Sequence, residues 1–336
     1  MIELTSTRHN PEIDPHMHIW GWEIPVYLFL GGLVAGVMIL SGYRLLTQTR
    51  EDKDRAWPWV PMLAVVLLSA GMGALFLDLT HQLYVWRLYL TFQITSPMSW
   101  GSWILLMVYP ALLSATLLHP PKQVPFGQVI LTQTRPITEW MRARPQVVTL
   151  VGMVNLFGGI ALGTYTGILL SSLGARPLWA SAALGPLFLL SGLSSAAALN
   201  HILMMIYDKE RKGRFRDLMM AGVFRLLGKG EDHDTMVRFD NSFLTLELAT
   251  ILLYLSGLVT GGAVHQRAAD ILLTGDWAPI FWCGVILVGI LMPLFLQSLE
   301  LYGKIKRTPI PAIMVLVGGF LLRWVMVFAG QQSSWH

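Results

Sequence analysis

Apolar residues in this chain gather into eight long runs, at about 24–46, 58–80, 101–119, 147–172, 178–206, 243–262, 277–300 and 309–330, and polar residues fill the segments between them. Each run is near the ~20 residues that an α-helix, rising about 1.5 Å per residue, needs to cross a bilayer. The pattern predicts an all-α polytopic membrane protein with eight transmembrane helices. The longest polar stretch, 207–242, reads as a basic loop in which Phe215 to Leu227 have the spacing of a short amphipathic helix. Nothing else suggests a separately folding unit, so residues 1–336 read as a single membrane domain. Leu30-Gly31-Gly32-Leu33-Val34-Ala35-Gly36 in the first run resembles Leu190-Ser191-Gly192-Leu193-Ser194-Ser195-Ala196 in the fifth. Two parallel repeats of four helices would produce that likeness, and so would small residues placed only for close packing. Either reading gives two packed four-helix bundles.

Charge orients the runs. The even-numbered loops hold Arg44, Arg50, Lys53 and Arg55, then Lys122, Arg135, Arg142 and Arg144, then the cluster from Lys209 to Arg238, then Lys304, Lys306 and Arg307. The other side, with the N-terminus, holds Arg8, Arg87, Arg176 and Arg267, and Arg323 falls inside the last run. By the positive-inside rule both termini are expected on the extracytoplasmic side. A hydrophobic fraction of 54% with 13% charged residues excludes a soluble globular domain. The net charge of +4 fits loops meeting anionic lipid and carries no sign of a nucleic-acid partner. No basic segment precedes the first run and no small-residue cleavage site follows it, so a retained helix is expected instead of a signal peptide. Trp20, Trp22, Trp57, Trp59, Trp100, Trp103, Trp179 and Trp277 sit at run edges as an interfacial belt.

Cys283 is the only cysteine, which excludes an internal disulfide, c-type haem attachment and a cysteine-ligated iron–sulfur cluster. Redox centres are therefore expected on partner chains. Haem b would need two imidazoles facing across one ring; His81 and His265 lie on the outer side, His119 and His201 on the inner, mostly at run ends, which weighs against it.

An ionisable side chain inside the hydrocarbon region costs about 2.5–3.5 kcal/mol on insertion scales, so each such residue is a candidate site. An outer group comprises Glu23, Tyr27, Asp78, His81 and Tyr165, all expected at one depth, with Ser99 and Trp100 in the loop from Thr95 to Trp103. A quinone needs flat apolar walls, a hydrogen-bond donor and a proton acceptor. Tyr165 suits the donor, and Asp78 or Glu23 the acceptor. The plain alternative is that these residues wet helix ends. An inner group comprises Glu247, Asn200, His201 and Glu300, with Asn155 and Arg323 deeper. It suits a proton conduit, or else helix caps plus one internal ion pair of Arg323 with a carboxylate. Glu300 reads better as a cap. A function of another class, an ion or solute transporter, draws on Glu247, His201 and Arg323 together with the repeat; the absence of paired Pro- or Gly-broken helices weighs against it. A passive membrane anchor is the third reading.

The segment Trp20-Gly21-Trp22-Glu23-Ile24-Pro25-Val26-Tyr27-Leu28-Phe29-Leu30-Gly31-Gly32, the Asp78 helix end, Ser96-Pro97-Met98-Ser99-Trp100-Gly101-Ser102-Trp103, Tyr165-Thr166-Gly167 and the ending from Arg323 to Gln331 resemble the NrfD/PsrC family, membrane subunits of polysulfide reductase and related respiratory complexes. The resemblance implies an eight-helix quinone-binding subunit of a bacterial or archaeal cytoplasmic membrane, reacting with menaquinone or ubiquinone and carrying no haem or iron–sulfur cluster of its own. It implies a ferredoxin-like iron–sulfur subunit on the extracytoplasmic face, joined to a molybdopterin or multihaem catalytic subunit. Tyr165 is similar to the family's quinone-contacting tyrosine, and Asp78 to its acidic residue ending the second helix. Glu23 and Tyr27 stand where the polysulfide reductase subunit has an amide and a histidine.

Overall fold

The computed structural model describes residues 20–47, 59–120, 127–207, 231–305 and 308–335. Eight of its helices are long and apolar enough to cross a membrane: α1 Glu23–Thr47, α2 Trp59–Asp78, α3 Pro97–Leu118, α4 Pro145–Ser171, α5 Leu184–Tyr207, α6 Glu231–Val259, α7 Ile280–Leu301 and α8 Ile310–Gln332. The chain is a multi-pass membrane protein. The first part of α7, Ile280–Leu291, is π-helical, a wider winding that continues as α-helix from Met292.

Three boundaries differ from the apolar pattern for identifiable reasons. α3 starts at Pro97, because the extended backbone of Ser96 (φ −104°, ψ 111°) leads into a proline whose fixed φ is already helical and whose missing N–H is not needed in a first turn. Ser99 to Trp103 are thus the first turns of a helix, not a loop. α5 starts only at Leu184, since 178–183 form turns pinned from outside: the Tyr254 hydroxyl donates to Leu178 O (2.7 Å) and the Trp179 indole to Met326 O (2.7 Å). α6 extends back to Glu231, through polar turns that an apolar count passes over. A further helix, Gly127–Arg142, lies between α3 and α4, where the apolar pattern predicts only a loop. The amphipathic segment from Phe215 to Leu227 lies outside the described residues.

The helices pack as two sets of four. In the first set α1 contacts α2 and α4, and α3 contacts α2 and α4; in the second α5 contacts α6 and α8, and α7 contacts α6 and α8. The sets meet where α1 touches α5 and α8 and where α4 touches α5. Without a hydrophobic drive between helices in lipid, association relies on close packing, which small residues permit. A Cβ on Gly36 would lie 2.7 Å from the Ala196 Cβ and would overlap Gly192 O, while a Cβ on Gly192 would overlap Gly32 O. The two similar sequence segments therefore meet each other at matched positions, Gly32 with Gly192 and Gly36 with Ala196. Gly158-Gly159 of α4 and Gly318-Gly319 of α8 stand at the same sequence offset. A Cβ on Gly159 would come 2.6 Å from Ala35 O and one on Gly319 2.6 Å from Ser195 Oγ, and Ala35 and Ser195 are again matched. Small residues at equivalent places in the two halves thus carry equivalent close approaches.

At the Glu23 end the two sets are also laced together by side chains. The Gln331 amide donates to Trp20 O (3.1 Å) and accepts from Trp20 N (3.0 Å), and the Arg176 guanidinium donates to Ser333 O (2.8 Å). Trp20 and Trp179 pack with ring centroids 5.3 Å apart.

Candidate functional site

The first polar cluster is built at the end of the bundle where α1 begins and α2 and α4 finish. Tyr27, one turn into α1, and Tyr165, near the end of α4, are 3% and 5% exposed, and their phenols are within electrostatic reach of each other. The Tyr165 phenol lies flat against α3 at Gly101, where any Cβ would overlap the ring and its oxygen. Asp78, the last residue of α2, is within electrostatic reach of Glu23, the first residue of α1. The Glu23 carboxylate itself folds back over Gly21. Four of the five outer residues picked out by sequence thus fall into two neighbouring pairs, one phenolic and one acidic.

The segment from Leu79 to Ser96 covers this end. Ser99 accepts from Gln93 N (3.0 Å) and donates to Thr91 O (3.2 Å), Ser102 donates to Leu88 O (2.7 Å), and the Trp100 indole donates to Ile94 O (2.8 Å). The polar atoms of Ser99 and Trp100 are therefore engaged with this segment's backbone. His81 points outward and is exposed, its ring 6.4 Å from that of Tyr84. Sequence reading passed over Tyr89, which this segment brings within electrostatic reach of Tyr27. Burial pushes the Tyr89 phenol above its ordinary pKa, and neighbouring Tyr109 adds to the rise, so it is held as a proton donor. Its only sequence signal was an aromatic inside a short loop between two helix ends.

A second polar cluster lies inside the other half. Arg323 on α8 is fully buried; its guanidinium donates to the Ser191 hydroxyl, to Gly319 O (2.9 Å) and to Phe188 O (3.0 Å) and sits 5.0 Å from the Phe188 ring centre. Across α5, Glu247 on α6 accepts from Ser194 (2.9 Å) and feels the Arg323 charge. Ser191 and Ser194, one turn apart on α5, thus hold the guanidinium and the carboxylate respectively. Two turns back on the same face of α6, buried Asp240 accepts from the Gln297 amide (2.6 Å) and interacts electrostatically with Glu247. Asp240, Gln297 and the serines were missed by sequence. Asp240 lies before the apolar run of α6 and looked like part of a loop; only its spacing of two helical turns from Glu247 could have revealed it.

The other inner candidates separate. Asn155 uses its amide on Ala111 O and Val151 O (both 2.9 Å), at the α3–α4 contact of the first half. Asn200 and His201 are buried near the end of α5. Glu300 accepts from Thr308 N (3.0 Å), in the turn leading into α8, which is the capping role. His265 packs edge-on to Trp335, ring centroids 5.4 Å apart.

The sequence matches the family described as polysulphide reductase, NrfD, over residues 6–333. A polysulfide reductase chain of Wolinella succinogenes is 28% identical over 326 residues, covering 93% of this protein and 94% of that one. The NrfD protein of Escherichia coli is 27% identical over 340 residues, covering 93% and 95%. A selenate reductase subunit of Mesobacillus selenatarsenatis is 24% identical over 335 residues, covering 92% and 73%. With nearly its whole length matched, and with the helical membrane architecture described above, the chain belongs to the NrfD polysulphide reductase family.

Proposed function

We propose that this protein is the quinone-reacting membrane subunit of an oxidoreductase complex, exchanging electrons between a lipid-soluble quinone and an iron–sulfur subunit docked at the Asp78 end. Two relatives are named as one chain of a polysulfide reductase and one subunit of a selenate reductase, which supports membership of a multi-subunit reductase. By the charge rule that end is the extracytoplasmic one. A molybdopterin or multihaem chain would complete the assembly and supply its terminal chemistry.

The observation that carries this reading is the buried Tyr27–Tyr165 pair beside the Glu23–Asp78 pair. Quinol oxidation releases two electrons and two protons, so the site must bind a ring oxygen by a donor and take up hydrogen as the electrons leave. The Tyr165 hydroxyl, fixed by Gly101 and Tyr27, donates to a quinone oxygen; Asp78 and Glu23 accept protons at the rim and pass them to solvent. Run in reverse, the same groups deliver protons to a quinone being reduced. Turnover with a quinol should fall steeply in Tyr165→Phe and Asp78→Asn while the complex still assembles. Full quinol-linked activity in both variants would remove the site from this location.

The buried cluster of the second half supports a conduit between the far face and this site, Asp240 leading to Glu247 and then to Arg323. Proteoliposomes carrying Glu247→Gln are expected to lose proton uptake from the Asp240 side, and unchanged coupling there removes Glu247 from the path. The same cluster would serve a transporter without redox partners. Isolation decides between them: iron–sulfur absorption in the purified assembly belongs to the redox reading, a colourless lone protein to transport.

A further inference from the structure

The helix Gly127–Arg142 lies between α3 and α4 and is tied to α3 through its last turns. Thr138 donates to Leu117 O (2.9 Å), and the Arg142 guanidinium donates to Leu118 O (2.7 Å from Nε), closing the C-terminus of α3. Met141 joins Ala115, Leu118 and Val151 in a small buried cluster. On the other side Ile137 and Trp140 stand 51% and 52% exposed. The Arg144 guanidinium lies 4.3 Å from the Trp140 ring centre and donates to Trp140 O (3.1 Å). The nearby Glu139 carboxylate is taken by Arg135 at 2.7 Å. No carboxylate among the described residues neutralises Arg144.

The neighbouring stretches of α3 and α4 turn apolar residues outward, Leu113 at 49% and Leu150 at 55% exposed, so this helix lies at the edge of the bilayer-facing surface. An indole and an isoleucine at that level, with an arginine fixed over the indole, is the composition that seats a helix in the headgroup region. We propose that the face formed by Ile137, Trp140 and Arg144 binds an anionic phospholipid of the adjoining leaflet. Arg144 meets the headgroup phosphate, while Trp140 and Ile137 meet the glycerol and first acyl carbons. The un-neutralised guanidinium selects an anionic over a zwitterionic headgroup, because only the former leaves net negative charge to pair with it. This site is distinct from the quinone-reacting end and stands or falls without it.

The test uses the purified full-length protein in vesicles of equimolar phosphatidylglycerol and phosphatidylcholine, extracted with mild detergent, with the retained lipid quantified by native mass spectrometry. The wild-type protein should retain phosphatidylglycerol several-fold over phosphatidylcholine. Arg144→Gln should lower that ratio several-fold, Arg144→Lys should hold most of it, and Trp140→Ala should lower total retained lipid more than the ratio. Arg144 is exposed, so folding of these variants is not at stake. Arg267→Gln, in the segment between α6 and α7, should leave the ratio unchanged. An equal ratio in wild type and Arg144→Gln, or an equal loss in Arg267→Gln, overturns the proposal.

Discussion

The two halves of the molecule share one scaffold and fill it differently. α1 crosses α4 with Ala35 on Gly159, and α5 crosses α8 with Ser195 on Gly319. In the first half the matched positions are Gly31, Val34 and Ala35, and the paired groups Glu23 with Asp78 and Tyr27 with Tyr165 are near the helix ends. In the second they are Ser191, Ser194 and Ser195; Ser191 accepts from buried Arg323, Ser194 donates to buried Glu247, and Ser195 donates to Ser191 O. The backbone approach is thus indifferent to polarity, because it depends on small volume alone. Serine keeps that volume while adding a hydroxyl, so a packing motif becomes a polar core without a change of fold. Under the function proposed above, the halves take separate jobs, a rim site for one and an interior charge relay for the other.

The sharpest way to break it is at the shared crossing. Gly36→Val would drive a branched side chain into Gly192 O and Ala196, which are backbone and Cβ atoms that cannot swing away. Loss of folded, monodisperse protein after detergent extraction is the expected outcome, the largest of any substitution considered. Near-normal yield and melting temperature would show that the halves do not depend on this contact.

Next in size is the buried charge pair. Removing one member of such a pair strands the other and costs about 3–5 kcal/mol, while replacing both with apolar residues of similar volume is often neutral. Glu247→Leu and Arg323→Leu should each lower the melting temperature strongly, and the double variant should recover much of the loss. Additive losses in that cycle would mean the two charges are not coupled.

How far the sequence could lead follows from these residues. Eight spans were legible because the apolar requirement of the bilayer is written into every residue of a crossing helix. Glu23, Asp78, Tyr27 and Tyr165 were legible because a polar side chain at a span edge is conspicuous, and each edge has a predictable depth. Asp240 was not, because helix α6 runs on through polar turns beyond the membrane-like run. Nor were Ser191 and Ser194 legible as partners of charge: a serine in a small-residue stripe carries the same signal whether it packs or solvates. The packing of Tyr165 on Gly101 needed tertiary structure, since neither residue names its neighbour.

That packing gives a prediction of intermediate size. Gly101→Ala leaves every polar group of the outer site in place but puts a methyl where the Tyr165 ring now lies. Positioned proton donors contribute about 10²–10⁴-fold to rate, so quinol-linked turnover should fall by about 10²-fold, near the value for Tyr165→Phe. A Gly101→Ala variant with normal turnover would show that the phenol's placement is not fixed by α3.

The smallest effect separates the serines. Hydrogen bonds between membrane helices average about 0.6 kcal/mol and reach about 1.7 kcal/mol. Ser194 serves Glu247 alone among the charged groups, so Ser194→Ala should cost near the average. Ser191 takes the guanidinium of fully buried Arg323 directly and should cost near the upper value. Val34→Ser, the reverse exchange at the matched position of α1, puts a hydroxyl into an apolar cluster with Leu33, Leu68 and Leu162, so it should bring no gain. Reversible unfolding in mixed micelles ranks the three. Equal losses at Ser191 and Ser194 would mean that a hydroxyl on the guanidinium is worth no more than one on the carboxylate.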